Sequence, residues 1–279
     1  MNHNIHPSTV EGFGQEWRQF DQSQLSVEEK EKLFHRYFSI FPFDVLPKNA
    51  VGFDMGCGSG RWATLVAPRV GTLHCIDPSQ ALDVARKNLS AATNCLFHQG
   101  DAENNPLEEN TMDFGYSLGV LHHIPDTEKA LKTCVIKLKE GAPFLLYLYY
   151  AFDQRPFWFR CLWRMSNVLR LCISRMPYPL RYIMSQIIAT MVYLPLAKTA
   201  LFLEKQGMRV DHIPLSAYRT CSFYTMRTDA LDRFGTSLEH RFSKEEIHNM
   251  MENAGLERIQ FSDKEPFWCA IGYRKKTTS

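Results

Sequence analysis

The sequence predicts an α/β fold with a doubly wound, mostly parallel sheet, and three observations support that expectation. Between residues 45 and 150, short apolar runs alternate with stretches of helical periodicity. A turn with three alternating glycines follows the first run, in Val51–Trp62 (VGFDMGCGSGRW). Two further strand-like runs, Leu256–Phe261 and Trp268–Tyr273, follow a capped helix and bring the sheet to seven strands. Short connections between alternating elements imply parallel strands with helices on both faces. Ligands in such sheets sit beyond the carboxyl ends of the strands.

Each element has its own signal. Residues 1–10 are expected to be loose. Ser26–Ile40 reads as a helix, with Ser26 as N-cap, Glu29 completing a capping box, and Leu33, Phe34, Tyr37 and Phe38 as its apolar stripe. Ala50–Met55 is the first strand, and Trp62–Ala67 starts a helix. Thr72–Ile76 is the second strand. Pro78 and Ser79 open a helix that runs to Leu89, with Leu82, Val84, Ala85 and Leu89 inward. Cys95–His98, Met112–Leu118 and Pro143–Tyr150 are the remaining core strands, with an amphipathic helix over Asp126–Leu138. Beyond Tyr150 the pattern changes: residues 155–205 carry eight Arg or Lys and one Glu among bulky apolar side chains. They read as two or three basic amphipathic helices broken near Pro177 and Pro179. Ser243–Ala254 is a helix with a Ser243/Glu246 capping box and Gly255 at its end. The expected parts are an N-terminal cap (1–44), a core (45–150), a helical insert (151–240) and a closing helix with two strands (241–279).

Composition narrows the function classes. The 279 residues, 45% apolar, suffice for one large domain or a core with an embellishment. A net charge of +2 gives no electrostatic case for a nucleic-acid partner. Eight cysteines are irregularly spaced without a C-x-x-C pair, which points to reduced thiols in a cytoplasmic protein. The polar N-terminus lacks the shape of a signal peptide. The longest uncharged stretch, Tyr182–Ala197, has 16 residues, short of the roughly 20 that cross a membrane. No metal-ligand spacing is present: there is no H-x-x-x-H and no carboxylate cluster.

The glycine turn admits several readings. A phosphate-cradling P-loop needs GK[ST], whereas Arg61 and Trp62 follow Gly60. A dinucleotide site wants G-x-G-x-x-G; here the third glycine comes one residue early and Arg61 fills the place that close helix packing reserves for a small residue. That reading is weakened and stays open, as does a purely structural turn. The pattern Asp54-x-Gly56-Cys57-Gly58-x-Gly60 resembles the first motif of class I S-adenosylmethionine-dependent methyltransferases. Glycines let backbone pass under the amino-acid end of that cofactor, and a carboxylate just before them can answer its ammonium group. Asp77, 17 residues past Gly60, ends the second strand beside Pro78 and Ser79, where an acid can accept from ribose hydroxyls.

The resemblance extends further. It implies an acid, Asp101, beside the adenine amino group and Ala102 beside the ring. Met112–Asp126 (MDFGYSLGVLHHIPD) is similar to the fourth-strand segment of type 11 small-molecule methyltransferases, which implies Leu118 and Gly119 along the cofactor. Gly12–Phe20 (GFGQEWRQF) resembles a lid found in methyltransferases of bacterial sugar and polysaccharide pathways, with Phe13 and Trp17 as its apolar contacts.

Methyl transfer asks the protein to orient the acceptor and, for a hydroxyl, to take a proton. His122 and His123 are the candidate bases; packing of an LHH turn is the plain alternative. Tyr149, Tyr150, Asp153, Arg155, Ala217–Met226 and His240–Arg241 are expected near the acceptor. The insert admits three roles: a helical cap, a site for a phosphate-bearing or lipid-linked sugar, or a peripheral membrane contact through 155–205. Its apolar surface also suits a homodimer. The expectation is transfer of a methyl group to a small molecule, an oxygen of a sugar or related metabolite. The alternatives are an NAD-dependent oxidoreductase and a non-catalytic cofactor-binding module at a membrane surface.

Overall fold

The computed structural model describes residues 4–152 and 155–276. Its strands are β1 (Val51–Met55), β2 (Thr72–Asp77), β3 (Cys95–Gln99), β4 (Phe114–Leu118), β5 (Pro143–Tyr147), β6 (Leu256–Phe261) and β7 (Cys269–Arg274). They form one sheet in the order β3-β2-β1-β4-β5-β7-β6. All neighbours are parallel except β7, which runs antiparallel to β5 and β6. The doubly wound, seven-stranded expectation holds. Two strands are shorter than expected: β4 begins at Phe114, because Met112 makes only an isolated bridge to Leu138, and β5 stops at Tyr147.

The helices are α1 (Pro7–Gln19), α2 (Val27–Phe38), α3 (Ala63–Val66), α4 (Ala81–Asn88), α5 (Thr127–Val135), α6 (Phe157–Ile173), α7 (Tyr178–Ile188), α8 (Leu194–Lys205), α9 (Phe223–Gly235) and α10 (Lys244–Asn253). The chain forms two compact units. One comprises 1–21, 30–151 and 238–279; the other comprises 22–29 and 152–237.

In the first unit the strands alternate sides as their period of two requires. Phe53, Met55, Phe144 and Leu146 face one core with Leu131, Ile247 and Met251. Leu73, Cys75, Phe114, Tyr116 and Leu145 face another with Phe34, Phe38 and Leu82. The sheet centre is built by reciprocal exchange. Gly52 pairs with Phe114 and Phe53 pairs with Gly115 across β1 and β4. A Cβ at Gly52 would lie 2.3 Å from the Phe114 ring, and one at Gly115 would lie 2.4 Å from the Phe53 ring. Each aromatic therefore lies across the glycine of the neighbouring strand.

The N-terminus departs from its expectation. Pro7–Val10 are not loose but form the first turn of α1, with Pro7 in the position that needs no amide hydrogen. Asn4 is held in both directions by Asp126: its Nδ2 donates to the Asp126 carbonyl at 2.8 Å, and its Oδ1 accepts from the Asp126 amide at 2.8 Å. Ser26 caps α2 through the Glu29 amide at 3.2 Å. The Glu29 carboxylate does not complete a capping box, because it accepts from the Ser222 amide and the Thr225 hydroxyl, both at 2.8 Å. At α10 the Ser243/Glu246 box is complete.

The second unit has its own small core: Ile173, Ile188, Ala189, Tyr193, Ala197, Met226, Ala230 and Phe234. Arg170 is buried and bonds the Thr236 and Ser237 carbonyls at 2.7 and 3.2 Å. Pro177 caps α7 and Pro179 sits in its first turn. The expected break there is thus a helix start. From α7 the helix continues through a π turn, Ala189–Tyr193, into α8. Pro195 has no amide hydrogen to give the preceding turn, and the widened turn just before it absorbs that loss. The result is a continuous helix of 28 residues, Tyr178–Lys205, long and apolar enough to cross a membrane by length and composition alone. That corrects the 16-residue limit read from the uncharged stretch. α9, which carries Met226, Ala230 and Phe234 of this core, had no counterpart in the sequence reading.

Gly52→Ala is expected to lower the free energy of unfolding by about 1–3 kcal/mol, the usual cost of overpacking a core. Urea denaturation of the two proteins checks this; equal stability would mean that Phe114 can move aside.

Candidate active site

The candidate site lies beyond the carboxyl ends of β1, β2 and β4. The turn after β1 is strapped to β2: the Gly56 and Cys57 amides donate to the Ile76 carbonyl at 2.8 and 2.9 Å. Gly56, Gly58 and Gly60 all have positive φ, at 79°, 53° and 75°. Each also faces a close neighbour. A Cβ at Gly56 would strike Val120 at 2.4 Å, one at Gly60 would meet Leu89 of α4 at 2.9 Å, and one at Gly58 would meet Trp17 Nε1 at 3.0 Å. Any side chain is disfavoured here on both conformation and space.

Asp77, at the end of β2, clasps this turn. Its Oδ2 accepts from the Gly58 amide at 2.9 Å, and its Oδ1 accepts from the Ser79 amide at 2.8 Å and the Ser79 hydroxyl at 2.6 Å. Burial raises its pKa, and these bonds from Ser79 and Gly58 oppose the rise. Oδ2 keeps acceptor capacity beyond its one bond, whereas Oδ1 already accepts two. Pro78 and Ser79 follow directly, and the Ser79 hydroxyl also accepts from the Ala81 amide at 3.1 Å, opening α4.

Asp54, on β1, is buried, and its pKa is pushed up to about 8. Burial is the main cause; the neighbouring Asp77 charge adds to it, and the Tyr116 hydroxyl opposes it. Its Oδ2 makes no hydrogen bond of good geometry among the described residues. Asp54 and Tyr116 are register partners in β1 and β4.

Asp101 turns back on its own loop. Its Oδ1 accepts from the Glu103 and Asn104 amides at 2.7 and 2.9 Å, and its Oδ2 accepts from Asn104 Nδ2 at 3.2 Å. Ala102 is buried in the core beside it. The Gly100 amide donates to the Asp77 carbonyl at 3.2 Å, which fixes this loop against the end of β2. Leu118 is buried at the end of β4, and Gly119 follows with φ of 77° and its amide donating to the Tyr147 carbonyl at 3.0 Å.

α1 covers this region. Trp17 stands over Gly58, Gly14 passes Ser79 and Gln80, and the Phe13 ring lies 4.9 Å from that of His123. The helix is tethered at both ends: before it by the Asn4–Asp126 pair, and after it at Asp21, whose carbonyl accepts from Asn88 Nδ2 at 2.9 Å.

His122 and His123 form a single turn after β4. His122 is fully buried, with its ring 4.0 Å from that of His123 and 3.9 Å from that of Tyr149. Neither of its ring nitrogens has a hydrogen-bond partner among the described residues. Burial, then the charges of His123, Arg241 and His240, hold its pKa well below the ordinary histidine value. It is neutral at pH 7. His123 Nδ1 lies 2.7 Å from the Leu238 carbonyl oxygen. A carbonyl only accepts, so the proton is on Nδ1 and Nε2 carries the lone pair in the neutral ring.

The expected neighbours divide. His240 and Arg241 do return to this turn: the His240 amide donates to the His122 carbonyl at 2.9 Å, and Arg241 lies 5.1 Å over the Tyr149 ring. Arg241 also donates to the Tyr150 carbonyl at 3.2 Å and pairs with buried Glu239 at 2.7 Å. Arg155 belongs to the other unit and donates to the Asp211 carbonyl at 2.8 Å. Ala217–Met226 is also part of that unit. Asp153 lies outside the described residues. Tyr116, Val120, Glu239 and Asn4 were missed. Tyr116 had a signal, since it stands on the same strand face as Phe114 and Leu118; the Asn4 pairing had none.

The strand order, with β7 antiparallel, is that of the class I methyltransferase fold. Residues 53–146 match the family model described as a methyltransferase domain, and its cofactor is S-adenosylmethionine. Three relatives each align with about a third of the chain. A tRNA (carboxymethyluridine(34)-5-O)-methyltransferase of Saccharomyces cerevisiae is 29% identical over 104 residues, 36% of each chain. A sterol 4-C-methyltransferase of Caenorhabditis elegans is 29% identical over 106 residues, 37% of this chain and 32% of its own. Phosphoethanolamine N-methyltransferase 2 of the same organism is 32% identical over 100 residues, 34% of this chain and 23% of its own. The chain thus spans about a third or less of these relatives. A solved O-methyltransferase family protein from Burkholderia thailandensis superposes with a TM-score of 0.54 at 14% identity, over 94% of this chain and 60% of that one. At that identity the likeness concerns the fold.

Because Asp54 keeps its proton in the folded state well above the 3.8 at which it is released in the unfolded chain, it makes stability fall as pH rises from about 4 to about 8. Asp54→Asn is expected to remove that slope, which is at most about 1.4 kcal/mol per pH unit. Unfolding free energies at pH 5, 6 and 7 (round values within about the window just given) check it; parallel curves for the two proteins would show Asp54 ionised in the fold.

Proposed function

We propose that the whole chain is an S-adenosylmethionine-dependent methyltransferase whose acceptor is a small molecule methylated on oxygen, a sugar or related metabolite. The observation that carries the cofactor part is the buried Asp54 carboxyl, with an unbonded oxygen beside a three-glycine turn. Such an oxygen suits an ammonium group, whose positive charge would drive Asp54 to ionise. In this reading Gly56, Cys57, Gly58 and Gly60 line the amino-acid end, Asp77 with Pro78 and Ser79 the ribose, and Asp101, Ala102, Leu118 and Gly119 the adenine. When bound, the cofactor supplies a methyl group already activated on sulfonium.

The oxygen acceptor is supported by the histidine turn. A hydroxyl must lose a proton as it attacks, and the buried His123 ring, with Nδ1 against the Leu238 carbonyl, has Nε2 as its basic nitrogen. His122 is neutral but fully buried, and serves as the floor against which His123 and Tyr149 rest. Trp17 and Phe13 on α1 exclude water from this region, which protects a sulfonium. The matched relatives act on oxygen, carbon and nitrogen, so the choice of oxygen rests on His123 rather than on likeness.

Asp77→Ala is expected to weaken S-adenosylhomocysteine binding by about 1–3 kcal/mol, as for loss of a charge-assisted hydrogen bond. Calorimetric titration measures it, and unchanged affinity would place the ribose elsewhere. His123→Ala is expected to lower turnover of a hydroxyl acceptor by about 10²–10⁴-fold while leaving cofactor affinity intact. A loss below about tenfold would remove proton transfer from its role.

A further inference from the structure

The second unit leaves an apolar surface facing outward, and it is not the surface that builds its core. Along Tyr178–Lys205 the inner side chains Ile188, Ala189, Tyr193 and Ala197 pack with Met226, Ala230 and Phe234. Leu180, Ile183, Ile187 and Met191 recur every three to four residues on another face and, with Phe202 further on, are 49–70% exposed. Only 28% of the most apolar window of this helix is buried. α6 repeats the arrangement: Trp158, Leu162, Met165 and Leu169 are 45–70% exposed at helical spacing, whereas Ile173 and Arg170 are buried. The α7–α8 helix is therefore apolar on the outside as well as the inside, and α6 is apolar on the outside.

Charge identifies what covers them. Arg160, Arg164, Lys198 and Lys205 are exposed on the same helices, and Arg175 is exposed between them. Glu204 is the one acid between residues 155 and 205, and it is bound by Arg219 at 2.8 Å. A second copy meeting this surface face to face would set these cations against their own duplicates. A bilayer rich in anionic lipid offers acyl chains to the apolar stripe and phosphates to the cations, and Trp158 and Phe202 suit the boundary between them. The helix does not cross that bilayer in this arrangement: its inner face holds α9, which carries Arg227, Asp229, Asp232 and Arg233.

We propose that α6 and the α7–α8 helix dock in the plane of an anionic membrane surface. This is independent of the reading of the cofactor site. The test is co-sedimentation of the full chain with vesicles of phosphatidylcholine alone and with about 30% phosphatidylglycerol. Binding is expected only to the second, weakened by salt, and reversed by an alkaline carbonate wash. The triple variant Arg160→Glu, Arg164→Glu, Lys198→Glu is expected to bind at least about a hundredfold less. Trp158→Ser with Met191→Ser is expected to bind about tenfold less, with S-adenosylhomocysteine affinity and far-ultraviolet dichroism unchanged in both variants. No binding to anionic vesicles, equal binding to both compositions, or indifference to the charge reversal would each overturn the proposal. Retention through the carbonate wash would overturn it in favour of a crossing helix. A stable dimer that binds no vesicles would overturn it in favour of self-association.

Discussion

The carboxylate of Asp77 receives the Gly58 amide on one oxygen and the Ser79 amide and hydroxyl on the other, where β2 ends. Three parts of the site depend on this clasp. The glycine turn is fixed relative to β2, α4 is started through the Ser79 hydroxyl, and Asp77 is held buried close enough to Asp54 to add to its raised pKa. A positive φ at three successive alternate residues is then affordable because the turn is anchored from the side rather than by its own side chains. The proton on Asp54 follows chiefly from its burial, and the nearby Asp77 charge adds to that.

The strap over this site is made by different means. α1 has no side-chain cap at its start, and its place comes from tethers at Asn4 and Asp21 and from contacts of Phe13, Gly14 and Trp17. Trp17 rests where Gly58 has no side chain, so the glycine serves both the turn and the lid. The histidine turn is similarly built from its surroundings. The Leu238 carbonyl sets the tautomer of His123, and the His240 amide holds the carbonyl of His122, both from a segment more than a hundred residues away.

Much of this was legible in the sequence where a local rule applied. The strand–turn–helix units, the glycine turn, the caps at Ser26 and Ser243, and Asp54 and Asp77 at strand positions all follow from patterns within a few residues of each other. What was not legible depends on distant partners. Glu29 looks like the second half of a capping box, but Ser222 and Thr225 take its carboxylate. Asn4 sits in a stretch that reads as loose, yet Asp126 bonds it twice. Tyr182–Ala197 reads as too short to cross a membrane because the uncharged count stops at Arg181 and Lys198, whereas one helix with a π turn runs past both. α9 escaped notice since Met226, Ala230 and Phe234 form a stripe only against α7 and the π turn.

The central claim is that the glycine turn, Asp54 and Asp77 hold S-adenosylmethionine rather than a dinucleotide. Calorimetric titration of the purified chain with S-adenosylhomocysteine and with NADH tests it most directly. The account predicts saturable binding of S-adenosylhomocysteine at one site per chain and no heat of binding from NADH. Saturable NADH binding, with no response to S-adenosylhomocysteine, would contradict it.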